Sequence, residues 1–400
     1  MTAAETDVEV RDATRATYLA FSGSGFALAS WAARIPQVRD GLGLSPSRLG
    51  LVLLAIAGGS IVSLVLAGQI VTRFGSRRTV AAMAGLLGVA LTALAIGYQV
   101  GVAPVVVALT FFGFANGAWD VAMNVQGTVV ERRLGRSIMP RFHAGYSIGT
   151  VGGAVAGAGI VALHVPVTAH LIASALLVAT VVISAVRRFV PDDSADGVPD
   201  AAAADVVAVT GLRRTLTAWS EPRTLLIGVF VLAFAFTEGA GIDWINVAVI
   251  DDYGAPATVG TLAFAVFLAA MTAGRWFGPG LFDRYGRVPV MRTLAVIGLV
   301  GLTVFVFGPN TAVAFAGVLL WGLGASLGFP VGMSAAADDP AKAPARVSVV
   351  ASIGYCAFLG GPPLIGFLAD RLTVVKALIA VAVLLMLTIA LAGAIKPLPR

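Results

Sequence analysis

Gly68-Gln-Ile-Val-Thr-Arg73-Phe-Gly75-Ser-Arg77-Arg78 closes one apolar run and opens the next. Leu281-Phe-Asp283-Arg284-Tyr-Gly286-Arg287 does the same 211 positions later. Outward from this pair the echo continues. Trp31 matches Trp244 at an offset of 213, Phe112-Gly113 matches Trp321-Gly322 at 209, and Ser147-Ile148-Gly149 matches Ser352-Ile353-Gly354 at 205. Each match alone is weak. Four in one order, with a slowly drifting offset, imply two related units in one chain.

The material between these marks is apolar. Of 400 residues 58% are hydrophobic, or about 232, and 12% are charged. Twelve membrane helices need roughly 240 residues at about 20 each. A soluble domain carries about twice this share of charge. The mean hydropathy of +0.92 points the same way. This balance excludes a soluble enzyme, a nucleic-acid-binding module and a disordered chain. The lone Cys356 excludes a disulfide framework. His143, His164 and His170 are too scattered to bind a metal, and no phosphate-cradling loop is present, so no metal and no cofactor are expected.

Spans are read at 16–35, 47–71, 79–98, 103–129, 143–163, 168–189, 224–249, 258–280, 290–308, 311–333, 347–368 and 374–395. The expected fold is an all-α polytopic membrane protein of twelve helices in two six-helix bundles. Its parts are a tail at 1–14, bundles at 15–190 and 223–396, a linker at 191–222 and a tail at 397–400. Ala55, Gly59, Ser63 and Ala67 form a small-residue stripe suited to close helix packing. The linker is acidic, then Ala-rich, then basic at Arg213 and Arg214. Its stretch 206–219 reads either as a surface-lying amphipathic helix or as an unstructured tether.

Arginine and lysine set the orientation. With the N-terminus cytoplasmic, the even-numbered connections hold Arg73, Arg77, Arg78, Arg132, Arg133, Arg136, Arg141, Arg284, Arg287 and Arg292 among others. The odd-numbered ones hold only Arg34, Arg39, Arg48, Arg371 and Lys376. Both termini are therefore expected in the cytoplasm of a cell with a bacterial-type plasma membrane. The net charge of +6 then records topology and needs no nucleic-acid partner. Met1 to Thr14, with four acids and one Arg, lack the basic start of a signal peptide.

An acid near the bilayer centre costs at least about 2.5–3.5 kcal/mol, so each one is a functional candidate. Asp120 in span 4, Glu238 near the centre of span 7 and Asp243 five residues on are the three. Asn116, Asp120 and Asn124 share one helix face at i, i+4 and i+8. Such a stripe turns away from lipid, either toward a watery cavity or to hold helices together. An acid that takes up a proton loses its insertion cost, which suits a proton carrier. Trp31, Trp244 and Trp321 either stack on a solute or form an interfacial belt. Asn246, Tyr146 and Tyr355 are further polar candidates for solute binding.

The paired loop, written out, resembles the Gly-x-Leu-Ala-Asp-Arg-x-Gly-Arg-Lys loop of the major facilitator superfamily. A shorter third copy stands at Gly366-Phe-Leu-Ala-Asp370-Arg371. The resemblance covers the whole chain. It implies transport by alternating access, with spans 1, 4, 7 and 10 lining a central cavity. It also implies that Arg73, Arg77, Glu131, Asp283, Arg284 and Arg287 take part in a cytoplasmic gate. Thr72 stands where the family usually has Asp, so gating is expected to lean on Asp283. Trp119-Asp120-Val-Ala-Met-Asn124 is similar to the span-4 segment of the fucose–proton symporter group, which implies that Asp120 carries the proton. That group also has an acid in span 1, and this chain has none there. The expected function is proton-coupled symport of a small polar, sugar-like solute by a monomer in the bilayer. The alternatives are a proton-antiporting multidrug or metabolite exporter and a transport-inactive sensor. Span 5, Gly145-Tyr-Ser-Ile-Gly149-Thr150-Val-Gly152-Gly153, lacks the proline of the exporter motif.

Overall fold

The structure is a computed structural model that describes residues 3–135, 138–192, 216–339 and 342–398, with side chains from Val8 onward. Arg136, Arg213, Arg214 and most of the 206–219 stretch lie outside the described residues, and of that stretch 216–218 are helical.

Among the described residues the chain is all helix. The main elements are α1 (Ala3–Ala32), α2 (Pro46–Gly97), α3 (Val102–Leu134), α4 (Met139–Ala162), α5 (Val167–Ala185), α6 (Pro222–Asp251), α7 (Ala257–Phe277), α8 (Arg287–Phe307), α9 (Thr311–Ala325), α10 (Ala343–Ala369) and α11 (Ile379–Leu391). Short helices at Ile35–Gly41, Pro279–Tyr285, Gly328–Ala336 and Val374–Ala377 fill the joints. Ten of the described helical stretches are long and apolar enough to cross a membrane. The architecture follows from lipid as solvent, because a helix satisfies its backbone groups internally where no water is available.

Two elements differ in length from the spans as read. The first helix begins at Ala3, well before position 16, and α2 runs for 52 residues. At 1.5 Å per residue α2 would extend about 78 Å, more than twice the bilayer core. It breaks at Gly75, with φ 76° and ψ 159°. Gly286 repeats that conformation, with φ 79° and ψ 163°, between the short helix Pro279–Tyr285 and α8. Positive φ with extended ψ is nearly closed to side chains bearing a Cβ. The sequence repeat is therefore also a backbone repeat. Asp192 stabilises the restart after Gly75, accepting the Ser76 N–H at 2.6 Å at a helix N-terminus.

Helices pack through small residues. A Cβ at Gly59 would lie 2.0 Å from the Thr110 carbonyl oxygen, and one at Gly113 would lie 2.0 Å from that of Ile56. Ser60 Oγ donates to the Gly113 carbonyl at 3.0 Å in the same α2–α3 crossing. Valine and leucine side chains such as Val65, Val89 and Leu177 are exposed on the outer faces, as lipid contact requires. Cys356 is exposed and does not fill the core.

Helices from the two halves of the chain also meet. α4 packs on α7, and α2 packs on α10. Gly50 approaches the Pro362 carbonyl and Gly366 that of Pro46, so α2 and α10 touch at the end remote from Gly75 and Gly286.

Candidate functional site

A narrow cleft lies where α1, α4, α6 and α7 converge. Leu28, Tyr146, Thr150, Glu238, Phe264 and Arg275 are among the residues that line it. Its floor is charged. Arg275 Nη2 donates to Glu238 Oε1 at 2.8 Å, and Arg275 Nε donates to the Ser326 carbonyl at 3.1 Å. Tyr146 lines the cleft together with Glu238 and Arg275.

Asp120 is half-buried and accepts from Asn124 Nδ2 at 3.3 Å. The same amide donates to the Asp120 carbonyl at 2.8 Å. One turn away, Ser24 of α1 donates to Asn116 Oδ1 at 3.1 Å. The polar face of α3 thus looks into the bundle. Asp243 is half-buried and forms no hydrogen bond or ion pair with a described residue.

The tryptophans are deep. Trp31 is 2% exposed, while Trp244 and Trp321 are fully buried, so none belongs to a lipid-facing belt. Trp321 packs against Phe267 and Phe305, with centroids 5.4 Å and 5.9 Å away. The indole N–H groups of Trp244 and Trp321 have no partner among the described residues. Asn246 is buried, with its Nδ2 3.4 Å from the Ala33 carbonyl across the two halves.

At the arginine-rich end, Arg73, Arg77, Asp283 and Arg284 are exposed. Arg73 and Arg284 lie over the adjacent rings of Phe74 and Tyr285 at 5.6 Å and 5.2 Å. Glu131 Oε2 accepts the Ile138 and Met139 N–H groups, each at 2.7 Å, and so caps the start of α4. Arg287 donates to Asp338 at 2.6 Å, and Arg223 reaches the same carboxylate at 2.9 Å. Beside them Arg346 Nε donates to Glu221 at 2.6 Å. That guanidinium holds the Glu221 carboxyl below the usual carboxylate range.

Two groups escaped the sequence reading as site residues. Arg275 lies inside the stretch read as the span 258–280. Arg39 read as one of the few arginines on the sparsely basic side, and that rarity was the available signal. In the structure Arg39 forms a two-point ion pair with Asp251, joining the two halves at the end remote from Gly75. Ser47 N–H donates to Asp370 at 3.2 Å nearby, again across the halves.

The Major Facilitator Superfamily profile matches residues 16–355. An uncharacterized MFS-type transporter of Yersinia pestis is 30% identical, over 95% of this chain and 94% of that one. The solved nucleoside transporter NupG superposes with a TM-score of 0.74 at 14% identity, over 97% of this chain and 98% of that one. The fucose–proton symporter of E. coli superposes at 0.63 and 14% identity, over 96% and 99%. At these identities the solved structures speak for the fold alone. The chain is a multi-pass membrane transporter, not an enzyme, and it belongs to the Major Facilitator Superfamily.

Proposed function

We propose that this transporter moves a small polar solute across the plasma membrane by alternating access, with proton-coupled symport. Twelve spans would do this in two six-helix bundles, 15–190 and 223–396, joined by the 191–222 linker, with both termini cytoplasmic. The count is supported by ten apolar helices, to which the break of α2 at Gly75 adds one and α1 adds another. The basic turns at Gly75 and Gly286 support a cytoplasmic placement of that end.

One observation carries the reading. The cleft between the halves holds the Glu238–Arg275 ion pair, and Arg39 and Asp251 tie the halves together at the end remote from Gly75. A site that opens on one side while ion pairs close the other is what rocking halves need. Asp120, Glu238 and Asp243 are the proposed proton carriers. Asn116, Asn124, Tyr146 and Tyr355 are the proposed solute contacts, and Trp31, Trp244, Asn246 and Trp321 shape the surrounding walls. On closure of the cytoplasmic side, Arg73, Arg77, Glu131, Asp283, Arg284 and Arg287 exchange partners. The named fucose–proton symporter neighbour supports proton coupling by fold.

The test is uptake by the full chain in vesicles under an imposed pH gradient, screened over metabolite pools. Asp120→Asn and Glu238→Gln should each lower gradient-driven uptake by about tenfold or more while sparing exchange without a gradient. Unchanged gradient-driven uptake in both variants overturns the coupling.

A further inference from the structure

We infer that the solute carries a carboxylate, that Arg275 binds it, and that Glu238 must take up a proton to give Arg275 up. The inference rests on the transport reading above and names the substrate class of its cleft.

The argument starts from an asymmetry within the pair. Arg275 has a second tie, from Nε to the Ser326 carbonyl, which keeps the guanidinium in place when Glu238 lets go. Glu238 has no hydrogen-bond partner other than Arg275 among the described residues. An arginine keeps its charge throughout, whereas a carboxylate is discharged by one proton. When the pair opens, the guanidinium therefore still needs an anion, while the acid needs only a proton.

The surroundings enforce that balance. The walls near the pair are apolar, including Leu28, Ile242, Phe264 and Met271. The closed pair is neutral. A carboxylate arriving beside an ionised Glu238 would set two anions against one cation in a poorly solvated cleft. Protonation of Glu238 restores neutrality. An uncharged sugar would have to separate the pair and leave both charges under-solvated. An amine would pair with Glu238 and leave Arg275 stranded. The carboxylate is the one of the three that closes the charge balance.

The other titratable groups around the pair are consistent with this. Tyr146 lines the same cleft as Glu238 and Arg275. Asp120 belongs to the opposite half and hydrogen-bonds Asn124, so it does not compete for the guanidinium. In the exchange, an O–H bond forms on Glu238 with a proton drawn from solvent. That proton returns to solvent when Glu238 pairs with Arg275 again. Nothing is oxidised or reduced.

Binding to the purified full chain tests the inference by calorimetry and thermal shift. The probes are matched acids and neutral analogues, namely gluconate against glucose and 3-phenylpropionate against its amide. An acid should bind in preference to its neutral partner, weakening about tenfold for each pH unit over which one proton is linked. Glu238→Gln should retain binding of that acid and lose the pH dependence. The double variant E238Q/R275Q keeps a neutral pair of similar volume and should lose acid binding while melting as a folded protein. Neutral analogues binding as tightly as their acids overturn the inference. So does a pH slope unchanged in E238Q, or no acid binding by the parent chain. Proton uptake in vesicles driven by glucose or a nucleoside, with no response to either acid, sinks the inference and leaves the transport reading standing. Acid binding as expected, with gradient-driven uptake untouched in both D120N and E238Q, strikes the proton coupling instead.

Discussion

Arg39 and Asp251 form a two-point ion pair between the halves of the chain, with Nη2 donating to Oδ1 at 2.8 Å and Nη1 donating to Oδ2. The Arg39 side chain is 10% exposed and Asp251 31%. A bidentate pair this sheltered contributes about 1–3 kcal/mol. Asp251→Arg should replace attraction by repulsion and open that end. A cysteine placed at Thr150 in a Cys356→Ser background then reports the change. Its labelling from the outer side by an impermeant thiol reagent should quicken about fivefold or more. The reversed pair R39D/D251R should recover part of the protection.

Asp338 is the shared acceptor of Arg223 and Arg287, and its side chain is 10% exposed. Asp338→Asn leaves two guanidinium groups competing for a neutral oxygen. The expected loss is about 2 kcal/mol, seen as a lower melting temperature of the detergent-solubilised protein. Ser334 and the Ala394 and Lys396 carbonyls still hold the two arginines, which limits the damage.

Glu221 supplies a pH test outside the spans. Its carboxyl is held below the ordinary value of 4.5, first by the Arg346 hydrogen bond. The folded form therefore gains stability that is fully present above that ordinary value and fades as pH falls toward the depressed one. Glu221→Gln should melt at a lower temperature than the parent near pH 7. The gap should narrow as pH drops below about 4.5, and a constant gap would remove the electrostatic explanation.

Gly286→Ala forces a Cβ into a positive-φ, extended backbone. The expected cost is about 1–3 kcal/mol, read as reduced thermal stability. Gly75→Ala should behave alike, because the two turns share one conformation. A large penalty at one and none at the other would break the structural equivalence of the two loops.

Much of the candidate site was legible as well as the fold. Asn116, Asp120 and Asn124 were placed on one face by spacing alone, and the Asn124–Asp120 hydrogen bonds lie along that face. Glu238 was marked by its cost in lipid. Its partner was not, because Arg275 sits 37 residues away on the next helix and only packing brings the two to 2.8 Å. The tryptophans allowed a surface or an interior reading, since indole suits both. Burial at 2% or less excludes the surface one.

By itself the sequence determined the solvent, the helices and the duplicated turn. These follow from local quantities, namely apolar run length, the sparsity of charge and glycine at two positions where no other residue sits easily. Only the tertiary structure decided which charges meet. Arg39 with Asp251, Arg275 with Glu238 and Arg287 with Asp338 are pairs between separate segments of the chain, and no periodicity along the sequence encodes them. An ion pair holds through space within about 4 Å, and that distance is set by how helices cross.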